Sequence, residues 1–253
     1  MKEATAGYYF KHMDEFPVAG LLREDATASE ILAALKSFCD GALREMAKHK
    51  GAEVPAGVTA VGDVYLAPGA IVKPGVVIEG PAVICAGAEI KANAVLEGPV
   101  YVGEGASVAA HAYLRPYTVL GRKAGVGHGS EVKNCLVQNG AKIASLAFAG
   151  DSILGRGARV GSGTILANRR FDQSNARVKI LGELIDLGRD FFGCVLGDYC
   201  RLGANCVTLP GAHIGAFCRV MPMTAVRGFL PEATAVTASQ HLEAKPVPPM
   251  ELK

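Results

Sequence analysis

Stepping by six from Leu66, the chain reads Leu66, Val72, Ile78, Ile84, Ile90, Leu96, Val102, Val108, Leu114, Leu120, Val126 and Val132. Leu, Ile and Val fill 58 of 253 positions, so twelve consecutive hits arise by chance on the order of once in ten million trials. The position two residues earlier is small in most hexads: Ala70, Val76, Ala82, Ala88, Ala94, Val100, Ala106, Ala112, Thr118, Ala124, Ser130. Residues two apart in a strand point to the same side. Each hexad is therefore a short strand with one small and one large residue facing inward. Pro68-Gly69, Pro74-Gly75, Gly80-Pro81 and Gly98-Pro99 supply turns between them.

The phase slips after Val132. The pattern predicts that it resumes as Phe148, Leu154, Val160 and Leu166, breaks from Ala167 to Phe192, and closes as Leu196, Leu202, Thr208, Ile214, Val220 and Val226. Such hexads resemble the left-handed parallel β-helix, in which three short strands make one triangular coil of 18 residues. A sandwich would not keep a strict six-residue step. The expected fold is all-β: a left-handed parallel β-helix of hexapeptide repeats over 57–236, with an insert loop over 167–192. An N-terminal α-helical cap over 1–56 precedes it, and an extended tail over 237–253 follows. Thr27-Ala-Ser-Glu30 is a capping box, and Ile31, Leu35, Phe38, Ala42 and Met46 follow at helical spacing. This amphipathic helix is expected on an open end of the β-helix, where it would cover unpaired strand edges.

Composition narrows the function classes. Twenty-six Lys and Arg against 24 Asp and Glu leave a net charge of +2, which argues against a nucleic-acid binder held by a basic surface. No apolar run reaches membrane-spanning length, so no membrane partner is expected. The N-terminus lacks the apolar stretch of a secretory signal, and seven Cys without CxxC spacing read as reduced thiols in a cytoplasm. Cys194, Cys200, Cys206 and Cys218 occupy the small inward position, which favours packing over ligation; no metal site is expected.

The residues with most chemical promise are Arg115 and Lys133. Eighteen apart, they stack on adjacent coils as two outward cations, a phosphate clamp of one guanidinium fork and one point charge. Two solvated surface charges would look the same in sequence. His128, five residues before Lys133, is expected near this pair. His111 and His213 fall at turn positions and read as solvated, and Asp151 reads as structural.

Arg115-Pro-Tyr117, Glu131-Val-Lys133, Leu146-Ala-Phe-Ala-Gly150-Asp151, Gly161-Ser-Gly163-Thr-Ile165, Asn168-Arg-Arg170-Phe-Asp172, Leu196-Gly-Asp198, Leu209-Pro-Gly211 and Ile214-Gly215 occur in order. Together they resemble the C-terminal β-helix of the bifunctional sugar-1-phosphate nucleotidylyltransferase/amino-sugar-1-phosphate N-acetyltransferases. The family's N-terminal Gly-rich nucleotidylyltransferase half has no counterpart in this sequence, so the likeness is to a free-standing β-helix. It implies a homotrimer with each site between neighbouring subunits. Arg115 and Lys133 would bind the phosphate of a sugar phosphate or nucleotide sugar. Asn168 would lie at the acetyl-CoA site, with the backbone of Ser162 and Ala204 lining the same cofactor.

The departures fall in the catalytic half. Ser145 and Phe148 stand where the family has a general-base His and a Tyr, and Arg159 replaces a sugar-binding Asn. A serine hydroxyl is not a base near neutral pH unaided; His128 is the low-ranked substitute. The insert sets Arg169, Arg170, Arg177 and Lys179 against Asp172. It reads as a protruding basic loop for the phosphates of coenzyme A or a nucleotide sugar, or as a loop making trimer contacts. Two functions stay open. One is acetyl-CoA-dependent N-acetylation of an amino-sugar phosphate or nucleotide sugar. The other is a non-catalytic sugar-nucleotide-binding partner or regulator of a separate sugar nucleotidylyltransferase.

Overall fold

A computed structural model describes residues 1–13, 21–240, 243, 245 and 246. Three parallel sheets of nine strands each wall a left-handed β-helix, and a two-stranded sheet stands apart. Face one includes Tyr113–Leu114, Glu131–Lys133 and Phe148–Gly150. Face two includes Thr118–Leu120, Leu136–Val137 and Cys194–Leu196. Face three includes Gly125–Val126, Arg159–Val160 and Arg201–Leu202. All twelve aliphatics from Leu66 to Val132 are buried in one continuous core, with Cys194, Cys200, Cys206 and Cys218 packed into the same column. Each inward side chain meets its counterpart one coil away, about 4.8 Å along the axis, so one six-residue rule fills the whole interior.

After Val132 the coils shorten, and one expectation fails. Leu114 pairs with Val132, eighteen residues on, but Val132 pairs with Ala149 and Ala149 with Leu166, seventeen on. Ala149 takes the inward place and Phe148 lies half-buried on the outer surface. The missing residue is lost at the corner between faces one and two. Pro116 and Tyr117 turn one coil there; Asn134 turns the next and Asp151 the one after, both with φ of 48°. Asn and Asp enter the left-handed region more readily than other side chains, which permits so short a corner.

The long helix, Ala28–Met46, opens with the expected capping box: Thr27 accepts from the Glu30 amide, and the Glu30 carboxylate accepts from the Thr27 amide at 2.7 Å. It does not sit on an open end. It lies along the flank of face two, against strands Ala82–Ile84, Val100–Val102 and Thr118–Leu120. The outward column of that face dictates the position. Tyr65, Val83, Tyr101, Val119, Leu136, Ile153, Val195, His213 and Phe229 stand in register. This column is almost wholly apolar or aromatic. Ile31, Leu32, Leu35 and Cys39 of the helix are buried, and each buried Ile or Leu contributes about 1.5–3 kcal/mol.

The insert also differs from expectation. It leaves after Asn168 and rejoins the coil at Gly193, whose amide donates to the Asp151 carbonyl at 2.8 Å. Between them, Arg177–Ile180 pairs antiparallel with Glu183–Asp186. Val178 and Ile180 are buried, and Ser29 Oγ donates to the Leu187 carbonyl at 2.6 Å. Apolar residues on one side of the hairpin thus fold it back beside the helix. His213 lies under this layer, 2% exposed and stacked on Phe192, so it is not the solvated turn residue expected. The tail expected over 237–253 falls mostly outside the described residues.

Candidate functional site

Face one has two edges, and the residues singled out in the sequence divide between them. On the edge with face two, Arg115 and Lys133 occupy adjacent coils; the Arg115 amide donates to the Val132 carbonyl at 2.8 Å. They line a cavity of about 460 Å³, roofed by Leu32, Ala33 and Lys36 of the helix and by Arg189, Asp190 and Phe191 of the insert. Arg115 Nη1 donates to Glu131 Oε1 at 2.8 Å, and this bond raises the guanidinium pKa further. Its Nε is buried without an acceptor. Lys133 Nζ lies 3.5 Å from Asp151 Oδ2 and 4.5 Å from the centre of the Phe191 ring. Arg169 stacks on the same ring at 4.8 Å.

Asp151 organises this edge. It is 2% exposed. Its Oδ1 accepts from Asn134 Nδ2 and its Oδ2 from Asn168 Nδ2, each at 2.7 Å. The three residues stand seventeen apart, one per shortened corner, so amide, carboxylate and amide stack on successive coils. Gly150 is required beside them: a Cβ there would collide with the Asn168 amide and come within 2.9 Å of Phe148 Cζ. The Phe148 ring therefore reaches across face one and ends next to Asn168.

The other edge, shared with face three, carries His128, Ser145, Ser162 and Ala204 on successive coils. Leu146 donates to the His128 carbonyl at 2.8 Å, Gly163 to that of Ser145 at 3.0 Å, and Asn205 to that of Ser162 at 2.8 Å. Among the described residues, the amides of Ser145, Ser162 and Ala204 donate to no acceptor, and Ser162 and Ala204 are exposed. The result is a row of N–H groups without an acceptor among the described residues of the chain. His128 packs against His111 at 5.5 Å between ring centres. It is not beside Lys133: a strand of face one, about 10 Å, separates the two edges.

Within one chain, then, the structure brings Asn168 to Arg115 and Lys133 rather than to Ser162 and Ala204. Sequence reasoning missed Asn134, Lys36 and Phe191 as site residues. The seventeen-residue step Asn134, Asp151, Asn168 was the available signal for the first of them.

Residues 96–214 match the family described as GMPPB C-terminal domain. The chain is 40% identical over 106 residues to the bifunctional sugar-1-phosphate nucleotidylyltransferase/acetyltransferase of Sulfurisphaera tokodaii, covering 42% of this chain and 26% of that protein. It is 40% identical over 102 residues to the bifunctional protein GlmU of Methanocaldococcus jannaschii, covering 40% of this chain and 25% of that protein. The match spans about a quarter of the length of these curated relatives. The likeness is to the C-terminal β-solenoid domain of GlmU-like bifunctional nucleotidylyltransferase/acetyltransferases. No helix among the described residues is long and apolar enough to cross a membrane.

Proposed function

We propose, from this likeness, that the chain is a hexapeptide-repeat protein of acetyltransferase type that binds a sugar phosphate or nucleotide sugar in the cleft at the edge of faces one and two. The observation that carries this reading is the cation pair at the cleft. Arg115 and Lys133 face a cavity large enough for a sugar phosphate, and Lys36 stands opposite without an ion pair among the described residues. A phosphate between them would gain charge-assisted hydrogen bonds without dismantling the Asp151 column.

Acetyl-CoA is the cofactor of this reading, and the second edge fits it. The exposed amides of Ser162 and Ala204 are donors suited to the amide carbonyls of its pantetheine arm. When bound, acetyl-CoA supplies a thioester for attack by a sugar amine. The chain's own contribution would be positioning, with the Ser145 amide as a donor to a developing oxyanion. The outward residues of face one, from Phe148 through the exposed Ile165 and Val207, suit burial by a second copy. A homotrimer would bring the edges of neighbouring chains together.

Ser145 and Phe148 favour the second reading of the same cleft, in which the sugar nucleotide is bound without efficient transfer and the chain partners or regulates a separate nucleotidylyltransferase. Both readings need the clamp. In titration calorimetry with glucosamine-1-phosphate and UDP-N-acetylglucosamine, Arg115→Ala and Lys133→Ala should each cost about 1.5–3 kcal/mol of binding, roughly ten- to hundredfold. Thermal stability should change little in Arg115→Ala, whose pair with Glu131 is partly exposed, and should fall in Lys133→Ala, which takes the cation from the buried Asp151 carboxylate. Undiminished binding in both variants would remove the cleft as the site.

A further inference from the structure

Face three carries a row of cations that the cleft does not use. Lys142 pairs with Arg159, Arg159 with Arg201, and Arg201 with Arg219. All four point outward on successive coils, which places them within about 15 Å along the axis. None has a carboxylate partner among the described residues. In the same column the first carboxylate below is Glu89, three coils beneath Lys142. Arg159 and Arg219 are exposed and make no side-chain hydrogen bond among the described residues. Arg201 Nη1 donates only to backbone carbonyls, to Gly157 at 2.6 Å and Cys200 at 3.1 Å. The cations of the cleft differ, since Arg115 and Lys133 each sit against a carboxylate. Like charges directly opposite one another in a sheet destabilise it, so this row is unfavourable in the free chain and would be relieved by a bound anion.

A second feature adjoins the row. At the corner between faces two and three, Gly140 and Gly157 hold the left-handed backbone positions of two coils, at φ of 68° and 61°. On the next two coils the corresponding residues are Tyr199 and Phe217, at 59° and 61°. Bulky side chains are disfavoured in that region. The two rings stack, 5.5 Å between centres and 12° between planes, and Phe217 is 51% exposed. Arg201 Nη1 lies 3.3 Å from the Tyr199 carbonyl, so the aromatic step and the cation row are one continuous surface.

We propose that this surface is a second ligand site, taking a nucleotide with two or more phosphates: the base stacks on Phe217, and the phosphates spread along Arg219, Arg201 and Arg159. Stacking on an aromatic ring and multidentate pairing with guanidinium groups are what such a ligand requires. A nucleoside triphosphate presents this chemistry.

The test is calorimetric binding of ATP, coenzyme A and inorganic tripolyphosphate at low salt, to wild type and variants. Wild type should bind ATP more tightly than tripolyphosphate, with affinity falling as salt is added; coenzyme A bound more tightly than ATP would overturn the proposal, since it returns the surface to the cofactor of the proposed function. Arg159→Gln with Arg219→Gln should weaken all binding by about a hundredfold, about tenfold per cation. Both residues are exposed and unbonded, so the fold should be unaffected; Arg201 is left alone because it supports the corner. Phe217→Ala should weaken the nucleotide and leave tripolyphosphate nearly unchanged. Arg115→Ala and Lys133→Ala should alter none of these titrations, which separates this site from the cleft. Absence of binding to wild type, or full binding by the double variant, would overturn the proposal. So would displacement of ATP by single-stranded RNA at equal phosphate concentration, since that result reassigns the surface to nucleic acid.

Discussion

The two edges of face one are built on opposite principles. Where face one meets face two, Asn134, Asp151 and Asn168 spend their polar groups on one another, and Lys133 leans on the same carboxylate. The helix and insert roof the edge. Where face one meets face three, Ser145, Ser162 and Ala204 leave their amides without an acceptor among the described residues. The two edges are therefore constrained to different degrees. Asn168 and Lys133 are tied into the folding of a shortened corner, so they are constrained whether or not a ligand binds. Ser145 and Phe148 answer to no such bonding network and are free to differ.

The largest effect that could break this contrast is catalytic. Ser145→His together with Phe148→Tyr should raise acetylation of glucosamine-1-phosphate by about a hundred- to ten-thousandfold over a very slow wild type, the usual worth of a positioned general base. Both changes are needed, because base and hydroxyl act as a unit. The geometry is favourable for the second: the Phe148 ring tip already ends beside Gly150 and the Asn168 amide. Wild-type turnover at an ordinary enzymatic rate, by coupled thiol-release assay, would show that the second edge is not silent.

The next effect concerns stability. Asp151→Ala would strand the buried Asn134 amide, the half-buried Asn168 amide and the Lys133 ammonium together, at a cost of about 3–5 kcal/mol. Ser145→Ala should change stability by less than about 0.5 kcal/mol. Urea denaturation of the two variants measures the difference directly. Equal costs would mean that the first edge is not the constrained one.

The inward column was legible because each of its side chains meets only its own kind along the axis. Outward residues depend on what covers them, which a six-residue step does not encode. Strands such as Thr118–Leu120 and Cys194–Leu196 are apolar on both sides, which already signals a covering layer on that face rather than a cap on an end. Phe148 was misplaced because a corner of one residue shifts every later side chain by one. Asn134 and Asp151 are the residue types that allow such a corner. The placement of Arg115 and Lys133 on adjacent coils was legible from their eighteen-residue spacing. The division of Asn168 from Ser162 and Ala204 was not, since assigning residues to edges requires knowing where the coil shortens.

The smallest of these effects tests whether the layer that roofs the first edge is integral to the folded unit. His213, on the outward side of face two, is buried beneath that layer, with the Phe192 ring at 5.6 Å and the Tyr9 ring at 5.6 Å. Its Nδ1 is 2.9 Å from the Gly211 carbonyl and serves as donor to it. Burial lowers its pKa from 6.5 to about 4, the Gly211 bond offsetting only part of the effect. The unfolded chain therefore takes up a proton as pH falls below 6.5, while the folded chain stays neutral until about 4. The stabilising contribution is full above 6.5 and is lost progressively down to about 4, a change of about 3 kcal/mol. Asp198, whose carboxyl is pushed up by burial, acts in the opposite direction, because its contribution is lost as pH rises through its folded value. His213→Phe isolates the histidine: it keeps a ring between Tyr9 and Phe192, forfeits about 1 kcal/mol with the Gly211 bond, and should flatten the stability profile between pH 6.5 and 4 relative to wild type. Urea melts across that range give the slope, and NMR titration of the imidazole gives the folded pKa. An imidazole titrating near 6.5 in the native protein would mean that water reaches it, and that the helix and hairpin roofing the cleft open independently of the β-helix beneath.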